Sequence, residues 1–160
     1  MTSDHAELVR SSPLVAEMDD AQKAVITGLV TWQTLVDGEV LIREGEISNE
    51  LHVIATGSLA VTRDTSNGEW IVLHVLRPRD LAGELGFLDN LQHSATLRAV
   101  GPTQVFSMRR DRLEELIATH PMIVYLAMRA IVREVHAILR RMNAQYVELT
   151  NYISKQHGRY

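Results

Sequence analysis

Residues 34–76 read TLVDGEVLIREGEISNELHVIATGSLAVTRDTSNGEWIVLHVL. Short apolar runs alternate in this stretch with turn signals at Asp37-Gly38, Gly45, Gly57 and Asn67-Gly68. The Asn67-Gly68 pair is a strong hairpin signal, because both residues tolerate the positive φ angles of tight two-residue turns. Turns about ten residues apart favour an antiparallel barrel, roll or sandwich over alternating βαβ units. The stretch therefore predicts a small antiparallel β domain.

The apolar period changes to that of a helix before this region. Asp19 and Gln22 have the N-cap and N3 spacing of a capping box, which predicts a short amphipathic helix ending near residues 28–30. The first dozen residues are mainly polar, and the segment 1–13 ends in Ser-Ser-Pro. We therefore expect this segment to form a flexible lead-in.

Helical periodicity returns after the β region. Pro121 suits the first turn of a helix, and neither glycine nor proline follows before Gly158. We therefore expect a flexible lead-in at 1–13, a β-roll domain at 14–120 and one long C-terminal helix at 121–156.

The long helix carries an apolar seam whose members alternate by four and three residues. The seam consists of Met128, Val132, Val135, Leu139, Met142, Tyr146, Leu149 and Ile153. Such a heptad pattern is typical of a coiled coil, whereas a helix packed on its own domain has a wider stripe of period 3.6. Ile131, Ile138 and Tyr152 widen the stripe, so both alternatives stay open, with self-association favoured. We expect the first half to contact the roll and a second copy, and the second half mainly the second copy.

The composition limits the classes of function. The chain has 160 residues, a net charge of −4 and no cysteine, which favours one domain in a reducing cytoplasm and excludes disulfides and thiolate catalysis. No run approaches the roughly 20 apolar residues of a membrane helix, and the N-terminus has no export pattern. The histidines lack metal-ligand spacing, and no catalytic constellation is visible, so we expect neither a metal site nor an enzyme.

The segment after the hairpin carries residues suited to a polar ligand. Gly83 allows close approach of the backbone, Glu84 offers two acceptors to a hydroxyl, and Ser94 precedes backbone N–H groups that suit an anion. From the residues alone, a glycine turn with a solvated glutamate and a hydroxyl-capped loop is the simpler interpretation.

Several of these segments together resemble the cyclic-nucleotide-binding domain. The first half matches in DGEVLIREG (37–45), LHVI (51–54) and GSLAV (57–61). The second half matches in LRPRD (76–80), GELG (83–86) and SATLRA (94–99), in the family's order. The resemblance covers about residues 14 to 150. It implies a mainly β fold with α, an antiparallel β-roll (jelly-roll-like, a double-stranded β-helix) flanked by short helices and one long C-terminal helix.

The resemblance also implies a phosphate-binding cassette, with the position of Glu84 on the ribose. The candidate ligand-binding residues are Gly83, Glu84, Leu85, His93, Ser94, Ala95 and Thr96.

The sequence departs from the family pattern in three places. His93 stands where the family has the arginine that pairs with the cyclic phosphate; a histidine of ordinary pKa is mostly neutral at pH 7, and losing a charge-assisted pair costs about 1.5–3 kcal/mol. Arg79 stands where the family usually has glycine. Ile138 and Leu139 stand where the catabolite-activator branch reads adenine with hydroxyls, and an apolar lid covers a base without reading its edge.

We therefore expect a regulatory domain that senses cyclic AMP, cyclic GMP or another anionic small molecule and signals through a dimeric C-terminal helix. The alternative is a non-enzymatic, dimeric adaptor whose pocket no longer binds a cyclic nucleotide. Family members that regulate transcription carry a helix-turn-helix after the long helix, and this sequence ends at Tyr160. We therefore expect no DNA binding by this chain alone and no membrane association.

Overall fold

Two four-stranded antiparallel sheets form the centre of the fold, in the orders β1-β8-β3-β6 and β2-β7-β4-β5. The computed structural model describes residues 3–157. The strands are β1 (Thr31–Leu35), β2 (Val40–Ile42), β3 (Glu50–Thr56), β4 (Leu59–Asp64), β5 (Trp70–Leu76), β6 (Leu81–Ala82), β7 (Thr96–Ala99) and β8 (Thr103–Arg109). The helices are α1 (Ser3–Arg10), α2 (Asp20–Leu29), α3 (Glu84–Asp89), α4 (Arg110–Glu114) and α5 (Pro121–His157), with a single 3-10 turn at Pro13–Val15. The predicted antiparallel β-roll with one long C-terminal helix is confirmed.

Alternating side chains of the first sheet contribute to two separate cores. Val53 and Phe106 pack with the helices, whereas Ile54 and Val105 pack between the two sheets. This division follows from the two-residue period of a strand, which sends neighbouring side chains to opposite faces. The first sheet therefore lies between a layer of helices and the second sheet.

The N-terminal segment packs on the roll, and the prediction of a flexible lead-in is wrong for the described residues 3–13. Helix α1 buries Val9 completely, and the ring of His5 stacks on Trp32 with centroids 3.9 Å apart. The sequence pattern does not reveal this helix, because a helix that fully buries only one side chain needs little apolar periodicity. Residues 1 and 2 of the expected lead-in lie outside the described residues. The predicted capping box is confirmed: Asp19 Oδ1 accepts from the Gln22 N–H, and Gln22 Oε1 accepts from the Asp19 N–H.

Helix α5 has two halves with different surroundings. Ile123, Ala127 and Ile131 are buried in the helical core, and Glu17 forms ion pairs with Arg129 and Arg133. In the second half of the helix the seam is exposed in the single chain: Leu139, Met142, Tyr146, Leu149 and Ile153 show 49–72% of their surface. None of the helices described within residues 3–157 is apolar enough over its length to cross a bilayer.

Strand β5 is one of the two outer strands of the second sheet and pairs only with β4 among the described strands. The turn between the two strands contains Asn67 and Gly68, as predicted, and Gly68 has φ +78°. Residues 70–73 are four consecutive apolar residues that are all about half exposed.

The turn from Arg77 to Asp80 connects β5 to β6 and places Arg79 at φ +81°. The Asp80 N–H donates to the Arg77 carbonyl over 3.0 Å, which closes a four-residue turn with Pro78 at its second position. A turn of this kind requires positive φ at its third position, where glycine is preferred. Arg79, at a position where the family it resembles usually has glycine, therefore has a strained backbone conformation.

We predict that Arg79→Gly stabilises the domain. Relief of the left-handed backbone conformation outweighs the added freedom of glycine in the unfolded chain, so the free energy of unfolding should rise by about 0.5–1 kcal/mol. Urea denaturation measures the change. The matched control is Arg77→Gly in the same turn, which should lower the free energy of unfolding by about 0.5–1 kcal/mol. Equal losses in both variants would contradict the assignment of strain to Arg79.

Candidate ligand-binding site

A cavity of about 480 Å³ lies between the roll and the second half of α5. Glu84, Leu85, His93, Ser94 and Ala95 line it on one side, together with Gly83. Ile138, Arg141, Met142 and Gln145 of α5 line it as well. The structure therefore brings together all but one of the candidate ligand-binding residues.

Helix α3 is held close to the beginning of β3 by two glycines. Gly83 has φ +85°, and a Cβ on it would lie 2.7 Å from the Glu50 carbonyl oxygen. A Cβ on Gly86 would overlap the Ser48 carbonyl oxygen and lie 3.0 Å from Cε1 of His93. A side chain at either position would require the backbone to shift, because real Cβ atoms do not approach so closely. The sequence predicts that Gly83 lets the backbone approach a ligand. In the structure Gly83 also allows close packing within the domain.

Glu84 is the carboxylate of the cavity wall and begins helix α3. Burial raises the pKa of its carboxyl group above the ordinary value, and a hydrogen bond with its own backbone opposes the shift. Glu134 on α5 lies within electrostatic range: burial, and then the charges of Asp80 and Glu84, raise the pKa of Glu134. A hydrogen-bond acceptor in such surroundings suits a neutral donor such as a sugar hydroxyl.

His93 lines the cavity, but its ring is already hydrogen-bonded within the domain. Its Nε2 lies 2.9 Å from Ser48 Oγ, and only 7% of the residue is exposed. Burial lowers the pKa of this histidine, and the nearby charge of Glu46 opposes the shift only in part. The lowered pKa disfavours the charged imidazolium form at neutral pH.

Thr96 is the one candidate residue that does not line the cavity. It is buried in β7, and its hydroxyl oxygen accepts the Glu44 N–H over 3.0 Å. Its contact with Glu44 is structural, because it satisfies a backbone donor at the end of β2.

The prediction that both Ile138 and Leu139 cover the cavity is only partly correct. Ile138 lines the cavity as expected, but Leu139 does not; it lies half exposed beside Arg133 and Arg140. Adjacent residues of a helix are rotated by about 100° around its axis, so Ile138 and Leu139 cannot both face the cavity. Sequence analysis missed Arg141 and Gln145, although they follow Ile138 by three and seven residues, the spacing of one helix face.

A second buried histidine, His52, lies beneath the cassette. It pairs directly with Ser107 across β3 and β8, and its Nδ1 lies 2.6 Å from Ser107 Oγ. Burial, and secondarily His93, lowers the pKa of His52 from 6.5 to about 4.

The roll, the short helix α3 and the long helix α5 together enclose one cavity. The sequence profile of the family described as the cyclic nucleotide-binding domain matches residues 32–120, more than half of the 160-residue chain. This chain belongs to the cyclic nucleotide-binding domain family.

Relatives of known name are similar over the same region. The chain is 25% identical over 115 residues to a cAMP-dependent protein kinase regulatory subunit of Dictyostelium discoideum, covering 70% of this chain and 35% of that protein. It is 29% identical over 112 residues to a CRP-like cAMP-activated global transcriptional regulator of Mycobacterium tuberculosis, covering 70% of this chain and 48% of that protein. The chain thus spans less than half the length of these two curated relatives.

The fold also matches solved structures. A cyclic nucleotide-binding domain from Methylobacillus flagellatus is similar with a TM-score of 0.79 and 20% identity, covering 91% of this chain and 82% of that one. At this level of identity the similarity concerns the fold.

We predict that acid destabilises the domain through its buried histidines. Because folded His52 binds a proton less tightly than the unfolded chain does, its stabilising effect is complete above about pH 6.5 and is lost as pH falls toward 4. A shift of this size corresponds to about 3 kcal/mol. Urea denaturation at several pH values measures the slope.

In this experiment His52→Gln should show a clearly smaller loss of stability between pH 6.5 and 4 than the wild type. The matched control is His120→Gln, at an exposed position outside the core, which should follow the wild-type curve. Identical slopes for the wild type and His52→Gln would contradict the assignment.

Proposed function

We propose that this domain is a sensor that binds a cyclic nucleotide, or a small anion of similar shape, and transmits binding through α5. The observation that carries the proposal is the shared cavity: Glu84 and Ser94 of the cassette line the same space as Ile138 and Met142 of α5. A ligand in that space contacts both the roll and the helix. If the ligand binds more tightly to one position of the helix than to another, binding shifts the helix toward that position.

The size and lining of the cavity support a small-molecule ligand. Its volume of about 480 Å³ lies within the roughly 300–1,000 Å³ of ordinary ligand pockets. Apolar residues such as Val61, Leu73 and Leu97 line it together with a few polar groups. Such a lining suits a flat, partly apolar molecule with hydroxyls at one end.

The relatives support a cyclic nucleotide as the ligand class. The two curated relatives are named for dependence on, or activation by, cAMP. We therefore take cyclic AMP and cyclic GMP as the first ligands to test. We propose a cytoplasmic location, because a chain without cysteine cannot form the disulfides that are typical of proteins in oxidising compartments.

We further propose that α5 pairs with α5 of a second copy along the heptad seam. Val132, Leu139, Tyr146 and Leu149 are each 46–72% exposed in the single chain, which leaves the apolar stripe available to a partner of the same sequence. Met142 belongs to the seam and also lines the cavity. A ligand that contacts Met142 would thus act directly on the pairing surface.

We predict that cyclic AMP or cyclic GMP stabilises the protein. At a ligand concentration 100 times the Kd, the free energy of unfolding should rise by about 2.7 kcal/mol. Glu84→Gln should weaken binding about ten-fold, since a charge-assisted hydrogen bond to a hydroxyl becomes a neutral one. Calorimetry measures the affinity. Asp89→Asn, at the exposed end of the same helix, is the matched control and should bind like the wild type.

Absence of binding by the wild type would contradict the sensor function. The protein would then be better described as a dimeric adaptor. The neutral, hydrogen-bonded His93 at the family's arginine position favours that second function.

We predict that the Tyr146→Glu, Leu149→Glu double variant is monomeric, whereas the wild type is a dimer. Introducing carboxylates into an apolar seam removes about 1.5–3 kcal/mol for each large side chain that would be buried there. Light scattering at micromolar concentration measures the mass. The matched control is Ala144→Glu, Asn151→Glu, which adds the same charge on the side of the helix opposite the seam and should leave the dimer intact. A monomeric wild type would rule out the pairing.

A further inference from the structure

A negatively charged ligand in this cavity needs a positive partner, and the cassette does not supply one. His93 is the family's arginine position, yet its Nε2 lies 2.9 Å from Ser48 Oγ and its ring packs against Gly86. Only 7% of the residue is exposed. Turning this ring toward a ligand would break its hydrogen bond to Ser48. The lowered pKa of His93 further disfavours the imidazolium form.

The cavity does contain one guanidinium among its described lining residues, and it comes from the opposite wall. Arg141 lies on α5, and no carboxylate oxygen of the described residues is recorded within 4.0 Å of its nitrogen atoms. Two arginines earlier in the same helix, Arg129 and Arg133, both form ion pairs with Glu17. Arg141 is thus charged, reachable from the cavity and not neutralised by a direct ion pair.

We propose that Arg141 binds the anionic group of the ligand, so that a cyclic nucleotide places its phosphate against α5 rather than against His93. This inference rests on the proposed sensor function and identifies the residue that supplies the charge. A guanidinium binds a phosphate with two parallel hydrogen bonds, a geometry that neither histidine nor lysine reproduces.

The surroundings of Arg141 agree with this assignment. Gln145 follows it by four residues on the same helix face and also lines the cavity, so its amide adds a neutral donor to the same wall. Glu84 and Glu134 are nearby carboxyl groups that oppose an anion, and Asp80 lies within electrostatic range of Glu134. Burial raises the pKa of both, and the Arg141 guanidinium opposes this rise for Glu134, so the arginine lies within electrostatic range of that carboxyl group.

The assignment changes how binding reaches the helix. In a cassette with its own arginine, the charged contact would lie within the roll. With the charge on Arg141, the strongest contact of the ligand is with α5 itself. Binding therefore fixes α5 against the roll directly.

Calorimetry on the full chain tests the proposal with cyclic AMP and cyclic GMP as probes. Arg141→Gln should lose about ten- to a hundred-fold in affinity for both nucleotides, because both carry the same phosphate. It should also lose most of the salt dependence of binding. The matched control is Arg140→Gln, which removes the same charge from the neighbouring position outside the cavity and should bind like the wild type. Unchanged melting temperatures verify that both variants fold.

Three results would overturn the proposal while leaving the sensor function intact. One is wild-type affinity in Arg141→Gln. A second is a loss confined to cyclic GMP, which would show that Arg141 reads the guanine O6 and N7 atoms instead. The third is an equal or larger loss in His93→Gln. Failure of the wild type to bind either nucleotide would overturn the sensor function together with this inference.

Discussion

The close packing of α3 against the residues that begin β3 is the constraint on which the site depends. It exists because Gly83 and Gly86 have no side chains where the carbonyl oxygens of Glu50 and Ser48 approach. This contact places Glu84 in the cavity wall and encloses His93 between the helix and Ser48. The same backbone contact therefore positions α3 and holds the His93 ring beside Ser48. Substitution of either glycine would alter both features at once.

Helix α5 borders the cavity and also carries the exposed apolar seam. Its first turns are fixed by burial of Ile123 and Ile131 and by the two ion pairs with Glu17. Beyond them the helix borders the cavity on one face and carries an exposed apolar seam on the next. Under the proposed function, a ligand in the cavity would change the angle of a helix that is held firmly at its first turns.

Local signals in the sequence predicted most of the fold and part of the site. Asn67-Gly68 located a hairpin, and Asp19 with Gln22 located a helix start, because turns and caps depend on a few neighbouring residues. The two-residue and heptad periods separated the roll from the long helix. Glu84 and Ser94 were identified as cavity residues through their resemblance to the family.

What the sequence did not reveal depends on contacts between distant residues. The hydrogen bond between His93 and Ser48 spans 45 positions, so no local pattern predicts that this ring is already occupied. Arg141 lies in the cavity only because α5 crosses the roll at a particular rotation, which also turns Leu139 away. Helix α1 fully buries only Val9 among its side chains, which is too little apolar periodicity to be detected.

The exposed outer strand β5 has a consequence for the protein before it is fully folded. Residues 70–73 are four apolar side chains in a row on a strand with one unpaired edge among the described residues, a combination that templates intermolecular β-pairing. Glu69 provides a negative charge directly before this run, in the manner of the gatekeeper residues that interrupt aggregation-prone segments. Partly folded chains would therefore pair with one another along this strand.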